Sequence, residues 1–408
     1  MKRITTLVFV TLLISGSAIF AQRSDPAPYV ILLSFDGYRY DYPSRGLSPV
    51  LDSIAKSGVA ASALRPVFPS KTFPNHYSII TGQYPQNHGI ISNNMTDPYK
   101  NRKFRLGAQD QITNPAWYFG EAFWETAERQ GIRCASFFWP GSELTTDHRR
   151  PSIYKQYEHD FPYEQRVDTV VSWFNQPYGV RPNFVTLYFD LTDTYAHRFG
   201  TSSPETDWAI ARLDSILARL VNGLKTSAVR DSINLIVVSD HGMADISDDR
   251  MILIEQLIPM DGVQVLDNGP LMTLRVEPAR REAVITRLRA SQNHFRAYLK
   301  SEMPEWYHFN SHPFLGDIIL LPEVGWEVHT EKSLESAKKW GSKASHGWDN
   351  YAIEMHGIFF ATGPFFKSGY RTGTLQNIDI YPLLCRIFQM DARTTIDGKL
   401  ERIGFILK

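Results

Sequence analysis

Apolar runs of six or seven residues alternate with amphipathic segments along the first two thirds of the chain. The apolar runs are typical of strands buried on both faces of a parallel sheet, and they lie at residues 29–35, 132–138, 184–189 and 234–239. Helical spacing of apolar residues occurs at 48–57, 121–130, 164–174 and 204–224, with a further helix start within 70–82. This alternation predicts an α/β fold with a doubly wound, mostly parallel sheet.

The pattern changes between residues 251 and 343. This stretch predicts, in order, two short strands, a helix and further strands, at residues 262–276, 281–300 and 317–328. A buried strand and a closing helix follow, at residues 357–362 and 379–390. We therefore expect a single domain over residues 22–408, with a small α+β lobe at 251–343.

The N-terminus has the pattern of a secretory signal peptide. Lys2 and Arg3 precede an uncharged apolar stretch over residues 4–21, which contains small residues near its end. We expect cleavage after Ala21, so that residues 1–21 are removed and the protein is exported, either periplasmic or secreted. The alternative is an uncleaved membrane anchor, because the stretch has nearly the length of a membrane span.

Composition narrows the class of protein. The 408 residues are 43% hydrophobic and 21% charged, which excludes disordered, collagen-like and coiled-coil proteins. Lys and Arg together number 43, as do Asp and Glu, so no basic excess indicates a nucleic-acid-binding surface. The two cysteines, Cys134 and Cys385, lie in apolar contexts. We favour two separate buried thiols over a disulfide between them.

Three aspartates and three histidines form the candidate metal centre. Asp36, Asp193 and Asp240 all follow predicted strands, and the carboxyl ends of parallel strands lie at one edge of a sheet. The histidines are His197, four residues after Asp193, His241, directly after Asp240, and His346. These ligand types suit zinc, with manganese or iron as alternatives, and six of them suit two metals with three ligands each. A lone Asp-His pair is more often a helix cap or a surface ion pair than a metal site, and a lone D-x-x-x-H is common by chance.

Thr72 is the candidate nucleophile. Pro74 favours the first turn of a helix, and a hydroxyl at a helix N-terminus suits an attacking oxygen and a phosphate. The alternative is that Thr72 serves only as the N-cap. Ser70 is also able to cap the helix, which would leave Thr72 free.

Several ordered motifs resemble those of the nucleotide pyrophosphatase/phosphodiesterase family, which belongs to the alkaline phosphatase superfamily. They are SFDGYRYDY at 34–42, FPSKTFPNHYSIITGQYPQNHGIISNNM at 68–95, D-x-x-x-H at 193–197, VVSDHGM at 237–243 and SHGWDN at 345–350. The resemblance extends from about Tyr29 to the C-terminus. It implies an alkaline-phosphatase type of sheet with a small α+β insertion.

The resemblance also implies roles for individual residues. One zinc would be held by Asp193, His197 and His346, and the other by Asp36, Asp240, His241 and the Thr72 oxygen. Thr72 would form a covalent nucleotidyl intermediate, and Asn93 would bind the oxyanion, with the adjacent Asn94 as the alternative. The nucleoside slot would consist of Phe73, Leu106, Tyr157 and Tyr188. Tyr154 is the alternative to Tyr157, and core packing is the competing interpretation for Tyr188. One segment departs from the family pattern: Asp190-Leu191-Thr192 stands where relatives often have Glu-Pro before the aspartate ligand.

We therefore expect an exported two-zinc hydrolase that cleaves nucleotide phosphodiester or pyrophosphate bonds and releases nucleoside 5′-monophosphates. The alternatives on the same site are a phosphomonoesterase or a phospholipid phosphodiesterase, and a non-catalytic ligand-binding protein is a third. Some monoesterases of the superfamily use a lysine and an arginine to bind a third phosphate oxygen, and Lys155 has no evident arginine partner, which favours diesters. The expected partner is a small-molecule nucleotide, no stable membrane span is expected after signal cleavage, and the oligomeric state is left open.

Overall fold

The computed structural model describes residues 27–408 except residue 101, so the expected signal peptide lies outside the described residues. The α-helices are, in chain order, α1 (Pro49–Ser57), α2 (Thr72–Thr81), α3 (Pro85–His88), α4 (Gln109–Ile112), α5 (Phe123–Arg129), α6 (Tyr163–Phe174), α7 (Leu191–Phe199), α8 (Pro204–Lys225), α9 (Ile254–Leu257), α10 (Arg281–Ala290), α11 (Glu331–Trp340) and α12 (Ile380–Ile387). In the part of the chain described here, no helix is both long enough and apolar enough to span a bilayer.

The strands of the N-terminal part are β1 (Tyr29–Phe35), β2 (Val59–Ala61), β3 (Leu64–Arg65), β4 (Asn94–Asp97), β5 (Arg102–Arg105), β6 (Cys134–Phe137), β7 (Ile153–Lys155), β8 (Phe184–Phe189) and β9 (Ile233–Val238). They are followed by β10 (Ala244–Asp245), β11 (Met251–Leu253), β12 (Val263–Asp267), β13 (Met272–Val276), β14 (Phe295–Leu299), β15 (Ile318–Pro322) and β16 (Glu327–His329). The last strands are β17 (Ala344–Ser345), β18 (Phe359–Thr362), β19 (Tyr370–Thr372) and β20 (Leu375–Gln376).

An eight-stranded sheet forms the centre of the fold, in the order β19-β2-β18-β9-β1-β8-β6-β7. Its central strands β9, β1, β8, β6 and β7 are parallel, whereas β18 runs antiparallel to both β9 and β2. All seven residues of β1 are buried, as its continuous apolar run predicts. The mostly parallel α/β sheet expected from the sequence is therefore confirmed.

Helices cover both faces of this sheet. Successive side chains of a strand point to opposite faces, so the apolar residues of β1 contribute to a core on each side. Val30 and Leu32 of β1 belong to one hydrophobic core, which also includes residues of α2, α5 and α12. Ile31 and Leu33 belong to a second core, which includes residues of α1, α6 and α8. Cys134 and Cys385 are both buried and unpaired, in agreement with the interpretation as separate thiols.

The lobe contains an antiparallel sheet in the order β12-β13-β15-β14, packed with α10 around a core of its own. The predicted helix over residues 281–300 is wrong in its second half. Helix α10 ends at Ala290, and residues 295–299 form strand β14, which pairs with β15. His294 adopts a left-handed conformation with φ of 59°, which turns the chain between the two elements. Strand pairing thus overrides the local helical spacing.

The strand registers bring the candidate aspartates together. Phe35 of β1 pairs with Phe189 of β8, and Ser34 pairs with Val238 of β9, so the three strands end side by side. Asp36 and Asp240 follow β1 and β9 almost directly, whereas Asp193 lies in the first turn of α7 after β8. The carboxyl edge of the central sheet is therefore the candidate site.

Candidate active site

Two groups of aspartate and histidine side chains lie at this edge. Group A consists of Asp36, Asp240 and His241, and group B of Asp193, His197 and His346. Within each group, one potential ligand atom per residue lies within 4.8 Å of the others. The structure thus brings together all six residues that the sequence singled out, as two sets of three.

The imidazole nitrogens face the carboxylates in both groups. In group A, His241 Nε2 lies 3.4 Å from Asp36 Oδ1 and 3.0 Å from Asp240 Oδ2. In group B, Asp193 Oδ1 lies 3.5 Å from His197 Nε2 and 3.7 Å from His346 Nε2. The rings of His241 and His346 stack with centroids 3.6 Å apart, so the two groups are adjacent.

Each of the three histidines is oriented by a backbone carbonyl. Their Nδ1 atoms donate to the carbonyl oxygens of Gly242, Ala344 and Ser70 at 2.8, 2.7 and 2.8 Å, for His241, His197 and His346 respectively. This contact fixes the tautomer and leaves the Nε2 lone pair free to bind a metal. All three histidines share this arrangement, which is typical of metal ligands.

The carboxylates carry negative charge that the protein itself only partly compensates. Burial, with the nearby Asp240 and Asp193 carboxylates, raises the pKa of Asp36 well above its usual range. Burial also opposes ionisation of Asp240, but His241 and His76 hold its pKa well below the usual range. Among the described residues, no well-directed hydrogen bond reaches one buried oxygen on each of Asp36, Asp193 and Asp240. Such orphaned oxygens beside oriented imidazoles fit two divalent cations.

Thr72 is the first residue of α2, and its hydroxyl faces group A. Thr72 Oγ1 lies 3.2 Å from His241 Nε2. Lys71 occupies the N-cap position, and no side chain there makes a capping hydrogen bond. Ser70 Oγ instead donates to the carbonyl of Trp348 at 2.9 Å. The helix start therefore uses neither hydroxyl as a cap, and Thr72 is available for another role.

Asn93 lies against the backbone beside Thr72. Its Oδ1 accepts a hydrogen bond from the Phe73 N–H at 3.0 Å, which leaves the amide hydrogens as donors. Asn94 is exposed and begins strand β4. Of the two asparagines, only Asn93 is thus placed next to the candidate nucleophile.

Three further residues support group A, although they were absent from the expected metal ligands. His76 Nδ1 lies 3.0 Å from the Thr72 carbonyl and 3.3 Å from Asp240 Oδ2. The Tyr188 hydroxyl donates to Asp36 Oδ2 at 2.6 Å, and Thr192 Oγ1 donates to the Asp36 carbonyl at 2.6 Å. His76 lies four residues after Thr72 on α2, and this spacing was the sequence signal that the two residues share one face of the helix. Tyr188 was expected in the nucleoside slot, with core packing as the alternative, and not beside a metal ligand.

A cavity of about 310 Å³ opens beside the two groups. Its walls include Asp36, Thr72 and Asp193 together with all four expected slot residues, Phe73, Leu106, Tyr157 and Tyr188. Tyr154, the alternative to Tyr157, is not among the lining residues, and neither is Asn93. A volume near 300 Å³ suits a small-molecule ligand.

The cavity wall is acidic. Among the described residues, its lining contains the carboxylates of Asp36, Glu143, Asp190 and Asp193 and no lysine or arginine. Lys155 was the candidate for the phosphate-binding lysine of a monoesterase. It is exposed on β7 and does not line the cavity. Asp190 is partnered by Arg166 at 3.6 Å and by the Tyr163 hydroxyl at 3.1 Å.

Comparisons with known proteins identify the family of this chain. The family model for type I phosphodiesterase / nucleotide pyrophosphatase matches residues 30–349. Human ectonucleotide pyrophosphatase/phosphodiesterase family member 1 is 36% identical over 375 residues, which cover 89% of this chain and 40% of that protein. The venom phosphodiesterase of Naja atra is 35% identical over 376 residues, which cover 90% of this chain and 45% of that protein.

A solved structure is similar over nearly the whole described chain. It is murine ectonucleotide pyrophosphatase/phosphodiesterase 5 in an inactive threonine-to-alanine variant, in complex with AMP, with a TM-score of 0.87 and 29% identity. The match covers 93% of this chain and 100% of that one. The chain spans less than half the length of the human and Naja atra relatives. From its fold, its site and these matches, the chain belongs to the type I phosphodiesterase / nucleotide pyrophosphatase family.

Proposed function

We propose that this protein is a two-zinc hydrolase that cleaves phosphodiester and pyrophosphate bonds of nucleotides and releases nucleoside 5′-monophosphates. One observation carries the proposal: the Thr72 hydroxyl, at the start of α2, lies 3.2 Å from His241 of group A. The names of the relatives support the reaction class, since they are phosphodiesterases and nucleotide pyrophosphatases.

Group B would hold one zinc, and group A with the Thr72 oxygen would hold the other. The three oriented imidazoles and the orphaned carboxylate oxygens support this assignment. Bound zinc supplies Lewis-acid stabilisation of charge on the phosphate and lowers the pKa of a coordinated hydroxyl. Metal analysis of the purified protein tests the assignment, with two zinc ions per chain expected.

The reaction would proceed through a covalent intermediate on Thr72. The Thr72 oxygen forms a bond to phosphorus while the bond from phosphorus to the leaving-group oxygen breaks, and the Thr72 proton passes through solvent to the leaving group. A water molecule then attacks phosphorus, and cleavage of the P–O bond to Thr72 restores the hydroxyl with a proton from that water. The backbone N–H of Thr72, at the start of α2, and the Asn93 amide hydrogens would stabilise charge on the phosphate oxygens.

Replacement of Thr72 tests the mechanism directly. The murine structural neighbour is inactive as a threonine-to-alanine variant and yet is in complex with AMP. We therefore expect Thr72→Ala to lose about 1,000-fold or more in turnover while the protein still binds AMP. A Thr72→Ala protein with wild-type turnover would overturn the proposal.

The charge of the cavity favours diesters over monoesters. At neutral pH a phosphate monoester carries about two negative charges and a diester one, and no lysine or arginine lines the described cavity to neutralise a second charge. The rings of Phe73 and Tyr157 favour nucleotides over phospholipid diesters, because aromatic side chains stack on bases. The test compares the p-nitrophenyl ester of thymidine 5′-monophosphate with p-nitrophenyl phosphate, before and after chelation. Faster turnover of the monoester would assign the protein to the phosphatase alternative.

We propose that the mature protein is exported and that residues 22–408 form one catalytic domain. The relatives named as ectonucleotide and venom enzymes support export, and the single central sheet supports one domain. N-terminal sequencing of the mature protein tests the expected cleavage after Ala21. A mature protein that retains Lys2 and Arg3 would contradict it.

A further inference from the structure

Glu143 lines the proposed substrate cavity, and its carboxylate forms no ion pair with a described residue. It follows the segment Trp139–Gly141, which lines the same cavity. The other three carboxylates of the wall have evident partners: Asp36 and Asp193 belong to groups A and B, and Asp190 pairs with Arg166. Across the described residues, no ion pair to Glu143 is formed by lysine, arginine or histidine. The mechanism gives this partly buried charge no role.

Glu143 accepts hydrogen bonds from one amide side chain and from the backbone N–H of Tyr157. Gln109, at the start of α4, donates from its Nε2 to Glu143 Oε2 at 3.0 Å. Gln109 also lines the cavity. A carboxylate has about four acceptor positions and a glutamine amide has two donor hydrogens, so this contact uses only part of the capacity of either group. The pair therefore presents acceptors and one further donor for a ligand.

This surface lies in the same cavity as the nucleophile and the proposed slot. Thr72 and Phe73 line one part of the cavity wall, and Leu106 and Tyr157 complete the slot. A nucleotide with its phosphate at Thr72 and its base against these side chains places the edge of the base within the same cavity. Gln109 and Glu143 are polar side chains of the wall that can meet that edge. His159 and Thr194 also line the wall, but both contact Asp190.

The geometry points to guanine as the base that this Glu143–Gln109 pair recognises. Guanine presents two adjacent donors, N1–H and the 2-amino group, which match the two oxygens of one carboxylate. Its neighbouring O6 is an acceptor, which matches the remaining amide hydrogen of Gln109. The inference rests on the proposed function, since it assumes that a nucleotide binds in this cavity.

The other bases match the pair less well. Adenine and cytosine each present one amino group beside a ring-nitrogen lone pair, so a carboxylate gains one hydrogen bond and meets one repulsive acceptor. Uracil and thymine present a single N–H between two carbonyl oxygens, both of which repel a carboxylate. A polar group that is left unpaired on binding costs affinity, so guanine nucleotides should react fastest.

The test measures kcat/KM for GTP, ITP, ATP and UTP on wild-type protein and on Glu143→Gln. We expect wild type to favour GTP over UTP by about 10- to 100-fold, with ITP between them because inosine lacks the 2-amino group. Glu143→Gln is nearly isosteric and should reduce the ratio of GTP to UTP to within about threefold of unity. Glu158→Gln, an exposed change outside the cavity, serves as the matched control and should retain the wild-type ratio.

Bis(p-nitrophenyl) phosphate separates this inference from the proposed function, because it is a diester without a base. Wild type and Glu143→Gln should hydrolyse it at rates within about twofold of each other. A wild-type enzyme that hydrolyses this diester but shows no preference for GTP, or prefers ATP or UTP, overturns the guanine inference alone. Failure to hydrolyse any diester would instead contradict the proposed function. If Glu143→Gln does not fold, the wild-type order GTP, ITP, UTP still decides the question.

Discussion

Lys71, the residue before the proposed nucleophile, forms a buried ion pair with Asp267 of the lobe, with Nζ 2.6 Å from Oδ2. Both side chains are only 9% exposed. Ser92, the residue before Asn93, donates to the same Asp267 oxygen at 2.7 Å. A single carboxylate from strand β12 thus holds the residues that precede both Thr72 and Asn93, and it connects the lobe to the proposed chemistry.

We predict that Asp267 positions the reacting groups, so that Asp267→Asn lowers kcat by about 10- to 100-fold with little change in KM. Small displacements of a nucleophile have effects of this size. Asp267→Ala also removes the anionic partner of the buried Lys71, which keeps only a 3.3 Å contact with Ser92, and should cost about 3–5 kcal/mol of stability. Steady-state kinetics and thermal unfolding measure the two effects.

Arg281→Ala is the matched control for the lobe. It removes the Arg281–Asp317 ion pair, which is partly exposed and lies away from groups A and B. Its kcat should stay within about twofold of wild type, because exposed pairs contribute little. Wild-type kcat in Asp267→Asn would show that the contact is only structural.

Metal removal should destabilise the folded protein. Without cations, the buried carboxylates of Asp36, Asp193 and Asp240 repel one another, and none of the described residues donates a well-directed hydrogen bond to one oxygen of each. We expect chelation to lower the melting temperature and added zinc to restore it. Asp36→Asn removes one buried charge, so this variant should be more stable than wild type after chelation and less stable with zinc present. The same order of stability in both conditions would contradict this account.

Tyr188 has two features to separate: its hydroxyl donates to Asp36, and its ring lines the cavity. Tyr188→Phe keeps the ring in the cavity and removes the 2.6 Å hydrogen bond to Asp36. If the hydroxyl orients a metal ligand, zinc affinity should fall by about 10- to 100-fold, while KM at saturating zinc changes little. Zinc titration of chelated protein measures the first effect and substrate kinetics the second. A raised KM with unchanged zinc affinity would assign Tyr188 to substrate binding alone.

Gly242 is required next to Asp240 and His241 because no side chain fits there. A Cβ at this position would lie 2.2 Å from the Glu354 carbonyl oxygen and 2.6 Å from that of His356. Gly242→Ala should therefore destabilise the protein by about 1–3 kcal/mol and reduce zinc content, since the backbone must move. Gly373→Ala, where a Cβ meets nothing within 4 Å, is the control and should leave both unchanged. Equal unfolding curves for the two variants would refute the steric argument.

Much of the fold and of the candidate site follows from local patterns. The apolar run at β1 predicts a strand buried on both faces, and strand ends predict where Asp36 and Asp240 meet. The same patterns fail at residues 295–299, where helical spacing continues but the chain pairs with β15. Local spacing does not encode a partner strand more than ten residues away, and the pairing decides the structure.

The sequence by itself determined the sheet and the family, because these depend on periodicity and on ordered local motifs. The same motifs singled out the candidate metal-binding residues. Only the tertiary structure decided that Asp267 holds Lys71, that Tyr188 donates to Asp36, and that Glu143 and Gln109 share a cavity with Thr72. These contacts join residues 34 to 196 positions apart in the chain. Their distances depend on how the lobe and loops pack on the sheet, and no local pattern specifies that packing.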